Sequence, residues 1–245
     1  MALLEVEGVA KSFGSLRAVD DVSFKVEAGE IFGIAGPNGS GKSTLFNVIT
    51  GIPFKPDRGV IRFDGTEIQG KSGNAIARLG LARTFQRETS FDGLTVFENA
   101  LIGSSYGKPE RPAAEARASA AEALEFVGLS SASFGRLAGE LSVFDRKCLM
   151  LATAIAMQPK LLLLDEPASS LTKPEIESSI GLIRRTAERG ITIVLIEHVL
   201  TFLMSLSRHL LVLNQGQVLA SGDPKAVISD ERVVEAYLGK RRPAA

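Results

Sequence analysis

Apolar positions along the chain follow two spacings. Near the N-terminus they alternate with polar ones: Leu3 to Val9 reads as a short strand, and Val22-Ser23-Phe24-Lys25-Val26 as a half-buried one. Ile31-Phe32-Gly33-Ile34-Ala35 is unbroken, runs into a glycine-rich loop from Gly36 to Gly41, and precedes a helical pattern from Lys42 to about Thr50. Gly59 to Asp64 predicts a further strand and turn. From about Thr89 to Gly139 alanine becomes frequent and no clear strand pattern shows. A helix is expected over Pro112 to Val127, with Ala113 to Phe126 read as a solvated surface helix and Gly107 to Pro112 as a loop before it. Unbroken apolar runs return at Leu161 to Leu164, Ile191 to Ile196 and Leu210 to Leu213. Pro224 starts a helix expected to end near Leu238, and Lys240-Arg241-Arg242-Pro243-Ala244-Ala245 reads as a frayed basic tail.

Strands that are apolar throughout and alternate with helices indicate a sheet covered on both faces and largely parallel. The expected fold class is therefore α/β: a core with a mixed, largely parallel sheet, an antiparallel β region at the N-terminus, and an inserted helical subdomain. The predicted division assigns residues 1–88 and 158–245 to the core and 89–157 to the helical insertion, together forming one functional domain.

Composition narrows the partners. The 28 basic and 28 acidic residues cancel, whereas a general nucleic-acid binder needs a basic surplus. Cys148 is the single cysteine, so neither an intramolecular disulfide nor a cysteine-held metal is available. No stretch approaches 18 apolar residues without a charge, so any membrane role is expected to run through a partner.

Gly36-Pro37-Asn38-Gly39-Ser40-Gly41-Lys42-Ser43 fits the phosphate-loop pattern G-x-x-x-x-G-K-[ST], and its place between a strand and a helix fits the P-loop NTPase core. Small residues let consecutive backbone N–H groups curl around a polyphosphate, and the helix that follows offers free N–H groups and its positive dipole end. Gly36 to Thr44 are the expected nucleotide-binding residues here: Lys42 can reach the β- and γ-phosphates, and the Ser43 hydroxyl can ligate Mg²⁺. Leu161-Leu162-Leu163-Leu164-Asp165 would deliver Asp165 at the phosphate edge of the sheet, to hold Mg²⁺ through water. Glu166, next in the chain, can polarise an attacking water. ATP and Mg²⁺ are the expected ligands.

With these motifs in place, the sequence resembles the ATP-binding subunits of ABC transporters across essentially its whole length. Phe13, in Lys11-Ser12-Phe13-Gly14, stands where that family has an aromatic that stacks on adenine. Gln86 matches the glutamine that in the family contacts Mg²⁺ and the attacking water, and His198, in Ile196-Glu197-His198, matches the histidine at the γ-phosphate. Taken singly, Phe13 also suits ordinary packing, Gln86 an exposed loop amide and His198 a satisfied strand end; it is their order and spacing that carry the resemblance. His209 reads as structural or solvated. Within the family the chain is most similar to the branched-chain amino-acid importer ATPases. That likeness rests on Arg83-Thr84-Phe85-Gln86, Leu195-Ile196-Glu197-His198, Val212-Leu213-Asn214-Gln215-Gly216 and Ala236-Tyr237-Leu238-Gly239.

One segment departs from the pattern. Family members reach the opposite subunit's ATP with Leu-Ser-Gly-Gly-Gln; here Leu141-Ser142-Val143-Phe144-Asp145 stands in its place. Ser142 is kept, but Val143 and Phe144 add side chains where glycine permits close backbone approach. Asp145 carries a negative charge toward a γ-phosphate, a repulsion of about 3 kcal/mol before screening for unit charges roughly 5 Å apart at an effective dielectric near 20. Met150, Thr153 and Thr172 also stand where the group has other residues.

The resemblance implies an ATP-hydrolysing subunit that energises a membrane ABC importer for branched-chain amino acids or related small solutes. Its catalytic residues would be Glu166, His198, Gln86 and Lys42, and Ser43, Gln86 and Asp165 would stand around the metal. Implied partners are a second ABC ATPase, identical or different, transmembrane permease subunits and, indirectly, a substrate-binding protein, with no nucleic acid. The implied location is peripheral, on the cytoplasmic face of the cell membrane. The alternative is a soluble ABC-type ATPase acting in DNA repair or translation.

Overall fold

Strands β1 (Ala2–Phe13) and β2 (Leu16–Glu27) form an antiparallel hairpin around a turn at Gly14, with Val6 opposite Phe24 and Val9 opposite Val22. The computed structural model describes residues 2–85, 90–108 and 110–238. The first unbroken apolar run becomes β3 (Ile31–Ala35), and helix α1 (Lys42–Thr50) follows the glycine loop as expected. Strand β4 (Arg58–Phe63) pairs antiparallel with β1 and carries the short β5 (Thr66–Glu67), giving the sheet order β2-β1-β4-β5.

Helix α2 (Gly73–Arg78), capped by Ser72, and strand β6 (Leu81–Arg83) were not legible as separate elements. Helices α3 (Val96–Gly107), α4 (Ala113–Val127) and α5 (Val143–Ala156) then pack on one another. Thr95 and Glu98 start α3 with a reciprocal capping box. α3 and α5 cross closely: a Cβ at Gly103 would lie 2.1 Å from the Thr153 carbonyl oxygen, so only glycine fits there. The solvated helix expected at Ala113 to Phe126 is corrected. Ala116, Ala120, Ala123, Leu124 and Val127 form a buried stripe, because alanines at helical spacing let neighbouring helices approach.

The remaining elements are β7 (Leu161–Asp165), α6 (Lys173–Glu188), β8 (Thr192–Ile196), α7 (Leu200–Leu206), β9 (His209–Asn214), β10 (Gln217–Gly222), α8 (Pro224–Ile228) and α9 (Glu231–Leu238). The single helix expected from Pro224 to Leu238 is thus two. Asp230 lies between them, and its side chain accepts the Arg232 N–H at 2.9 Å, a local bond that competes with a continuous helix. The second sheet has the order β10-β9-β3-β8-β7-β6, parallel except for β10.

Side chains of successive strand residues leave opposite faces, and both faces of this sheet are covered. Leu161 and Leu163 enter the core shared with α1 and the antiparallel sheet, while Leu162 and Leu164 enter the core shared with the helices. β8 and β9 divide in the same way, which is why Ile193 to Ile196 and Leu210 to Leu213 are unbroken apolar runs. Each buried leucine contributes about 1.5–3 kcal/mol relative to exposure, so β7 holds Asp165 at its end from two sides. Among the described residues no helix is long and apolar enough to cross a membrane.

Candidate functional site

The glycine loop leaves β3 at the carboxyl edge of the parallel sheet, between β8 and β9. Gly41 has φ +104, and a Cβ there would meet the Ala18 carbonyl oxygen at 2.2 Å, so glycine is required both for conformation and for space. The Lys42 ammonium curls back onto the loop, donating to the carbonyls of Gly36 at 2.7 Å and Pro37 at 3.0 Å. Burial draws Lys42 below its ordinary pKa, and the carboxylates of Glu166, Asp165 and Glu197 pull it the other way. The loop therefore stands preformed, with its one ammonium among three carboxylates.

An open cleft of about 880 Å³ is lined by Phe13, Arg17, Asn38 to Thr44, Glu166, His198 and Gln215, among others. That lies at the upper end of the roughly 300–1,000 Å³ of ordinary small-molecule pockets, room enough for a nucleotide. Phe13, at the end of β1, is 40% exposed and meets Phe54 edge-on at 4.9 Å, so it keeps a face for a flat ring. Gly36 and Pro37 shape the loop through the Lys42 bonds. Gln86 lies outside the described residues, as does Gly239 with the basic tail.

Asp165 ends β7 and is 4% exposed. Its Oδ2 accepts from Arg83 Nη2 at 2.9 Å, while its Oδ1 is buried with no hydrogen-bond partner. Burial raises the Asp165 carboxyl above its usual range, and the Arg83 guanidinium opposes that shift. A buried carboxylate oxygen without a donor, at the strand end beside a helix opening with an exposed Ser43 hydroxyl, suits a hard cation that takes oxygen ligands. Among the described residues no cluster of three His, Cys, Asp or Glu forms a protein-only metal cage. Mg²⁺ characteristically takes one or two carboxylates and completes its shell with water and phosphate oxygens.

Glu166 takes a left-handed backbone, φ 48, fixed by its N–H donating to the Ile196 carbonyl at 3.0 Å. Such strain in a non-glycine residue persists only where surroundings hold it. His198 follows β8 and lines the same cleft. Glu197, to which no role was assigned from sequence, is fully buried between them. Its Oε1 accepts the Ala168 N–H at 2.7 Å and its Oε2 the His198 N–H at 3.3 Å, tying the loop after β7 to the loop after β8. Burial raises the Glu197 carboxyl. The only sequence signal was its place beside His198.

Residues 142–145 are absent from the lining of the chain's own cleft. Ser142 caps α5, its Oγ accepting the Asp145 N–H at 3.1 Å, and Val143 is exposed. Phe144 turns inward, half-buried against the helical core, beside an apolar cavity bordered by Cys148, Leu164, Pro167 and Leu171. Lys147 donates to the Glu166 carbonyl at 3.3 Å and to Ser169 Oγ at 3.0 Å, linking α5 to the strained loop after β7. Thr172 caps α6, and the Glu175 carboxylate accepts both its N–H and its hydroxyl at 2.7 Å.

A further residue reaches the site from the far end of the chain. Tyr237, on α9, accepts the Gly36 N–H at 2.7 Å, and burial raises its phenol pKa. Tyr237→Phe is expected to lower stability by about 1 kcal/mol, the net value of one such bond. Urea unfolding should show a lower midpoint with an unchanged slope. An unchanged midpoint would mean that water replaces the hydroxyl.

Comparison with known proteins gives a consistent picture. The family model described as ABC transporter matches residues 19–169, and the one described as branched-chain amino acid ATP-binding cassette transporter matches residues 217–242, which include Tyr237. The chain is 39% identical, over 97% of its length and 98% of the relative's, to the high-affinity branched-chain amino acid transport ATP-binding protein BraF of Pseudomonas aeruginosa. It is 37% identical, over the same shares, to the LivG protein of the same description from Escherichia coli K12. A nucleotide-free ATP-binding cassette from an ABC transporter superposes with a TM-score of 0.88 at 34% identity, covering 98% of this chain and all of that one. The ADP conformation of MJ1267, an ATP-binding cassette of an ABC transporter, superposes with 0.87 at 35% identity and the same coverage.

Proposed function

The chain belongs to the ABC transporter family of ATP-binding cassettes, and from that premise we propose that it energises the import of branched-chain amino acids or closely related small solutes. It is an ATPase subunit of an ABC importer, with hydrolysis coupled to transport. The observation that carries the substrate assignment is the match of residues 217–242 to the branched-chain group, together with full-length relatives of that description. Those relatives favour transport over a soluble role in DNA repair or translation.

In this reading the cleft holds ATP, with Phe13 against the base and the loop from Gly36 to Thr44 around the phosphates. Lys42 exchanges its loop carbonyls for β- and γ-phosphate oxygens. Glu166 accepts a proton from water as the water oxygen bonds to the γ-phosphorus, and the bond from that phosphorus to the β–γ bridging oxygen breaks, releasing ADP and phosphate. Lys42 and His198 stabilise the charge that develops. Ser43 and Asp165 would hold Mg²⁺, which when bound neutralises charge on the β- and γ-oxygens. Gln86 is proposed beside them on the family pattern alone. Residues 89–157 form the helical subdomain of this single cassette, and 1–88 with 158–245 its core.

The open side of the cleft is closed by a second ATPase. With Val143, Phe144 and Asp145 in place of Gly-Gly-Gln, the reading favours a different partner chain with an intact signature, leaving this chain's own site the competent one. Permease subunits, fed by a substrate-binding protein, would hold the pair peripherally at the cytoplasmic face of the membrane. The test is uptake of labelled leucine, isoleucine and valine by host cells with and without this chain. Loss of all three that returns with the intact gene is expected; undiminished uptake of each would overturn the substrate assignment.

A further inference from the structure

Arg83 takes no part in the chemistry above, yet its side chain is only 6% exposed and reaches three elements at once. It ends β6, paired in register with Leu163 of β7. One arm of its guanidinium donates to Asp165 Oδ2 at 2.9 Å. The other donates to Asn47 Oδ1 at 2.8 Å and Thr50 Oγ1 at 3.3 Å, both on α1. Its guanidinium carbon also lies over the rings of Phe46, 5.4 Å from the ring centre, and Phe85, at 4.7 Å. A planar fork can bond in two directions while its faces lie against aromatic rings; a lysine ammonium cannot keep that geometry.

The two elements clamped in this way carry the two proposed protein ligands of Mg²⁺: Ser43 stands in the first turn of α1 and Asp165 closes β7. Occupying Oδ2 also leaves Oδ1, which has no hydrogen-bond partner, as the oxygen available to a cation. We propose that Arg83 is a positioning residue for the Mg²⁺ site, fixing α1 against β7 so that the Ser43 hydroxyl and Asp165 Oδ1 present one preformed pair of oxygens. This rests on the reading of Asp165 as the metal-side carboxylate. Arg83 also stands three residues before Gln86 in the sequence.

The test uses the full chain, a non-hydrolysable ATP analogue as the nucleotide, and Mg²⁺ as the probe. Arg83→Lys keeps the charge but not the fork, and Asp165→Asn removes the metal-side charge. Calorimetry in EDTA gives the Mg²⁺-free nucleotide affinity, and titration with Mg²⁺ gives the concentration for half-maximal enhancement of binding. Arg83→Lys is expected to leave the EDTA affinity within about twofold and to raise the half-maximal Mg²⁺ concentration about tenfold, as Asp165→Asn should also do. A purely structural role would weaken binding equally with and without Mg²⁺ and would overturn the proposal. So would a shift for Asp165→Asn with none for Arg83→Lys. If Asp165→Asn itself leaves the Mg²⁺ dependence unchanged, the reading of Asp165 fails and the proposal falls with it. Thermal unfolding of each variant accompanies the titrations. Should Arg83→Lys not fold, Asn47→Ala, which removes one anchor of the fork, is titrated in its place under the same criteria.

Discussion

Glu166→Gln is expected to leave ATP bound and to slow its hydrolysis by about 10²- to 10⁴-fold, the range a positioned general base supplies. The substitution keeps size and shape, so the left-handed backbone at this position and its N–H bond to Ile196 should survive. Lys147 bonds the carbonyl oxygen of residue 166 rather than depending on the carboxylate for that contact. What changes is that an amide cannot take the proton of the attacking water. Single-turnover hydrolysis in the assembled transporter reads this directly, with bound nucleotide measured in parallel. A rate equal to that of the original chain would remove Glu166 as base and move attention to His198, which lines the same cleft.

Lys42→Ala should instead abolish tight nucleotide binding. Truncating one member of a buried, hydrogen-bonded charge pair costs about 2–5 kcal/mol, equivalent to at least roughly 30-fold in affinity. The surroundings push toward the upper end. Without the ammonium, the carbonyls of Gly36 and Pro37 lose their donor, and the carboxylates of Glu166, Asp165 and Glu197 lose the positive charge that stood between them and the incoming triphosphate. Calorimetric titration with Mg-ATP compares the two chains. Equal affinities would exclude Lys42 from phosphate binding, and an unchanged unfolding midpoint in the variant would show that any loss is local to the site.

The altered signature looks different once folded. From sequence, Val143 and Phe144 stood as two added side chains, and Asp145 as a negative charge, toward an opposite subunit's phosphate. Phe144 is half-buried against the helical core beside the cavity near Leu171, so its bulk supports the loop after β7. Val143, exposed, and Asp145, in the first helical turn, remain the groups on the outer side of α5. Restoring glycine at position 144 would therefore remove core contacts as well as any steric block.

Local pattern alone determined the central elements of this protein. β3, the glycine loop and α1 follow from an apolar run, small residues and a helix start, all neighbours in the chain, and their boundaries fall where the pattern predicts. The burial of the apolar runs in β7, β8 and β9 was legible for the same reason: successive positions covered on both faces are apolar. Sequence also supplied the order of Phe13, Lys42, Asp165, Glu166 and His198, which together identify the family's chemistry. It did not show which polar groups would meet across the fold. Arg83 and Asp165 are 82 positions apart, Gly36 and Tyr237 are 201 apart, and Glu197 reaches Ala168 across 29. Each of these bonds depends on strand order and on which face a side chain leaves, quantities that exist only once parallel strands distant in sequence lie side by side. The helix broken at Asp230 and the buried stripe of α4 have a similar origin. Side-chain bonding at Asp230 outweighed continued helical propensity, and alanines that look solvated in isolation became the contact surface once α3 and α5 closed over them.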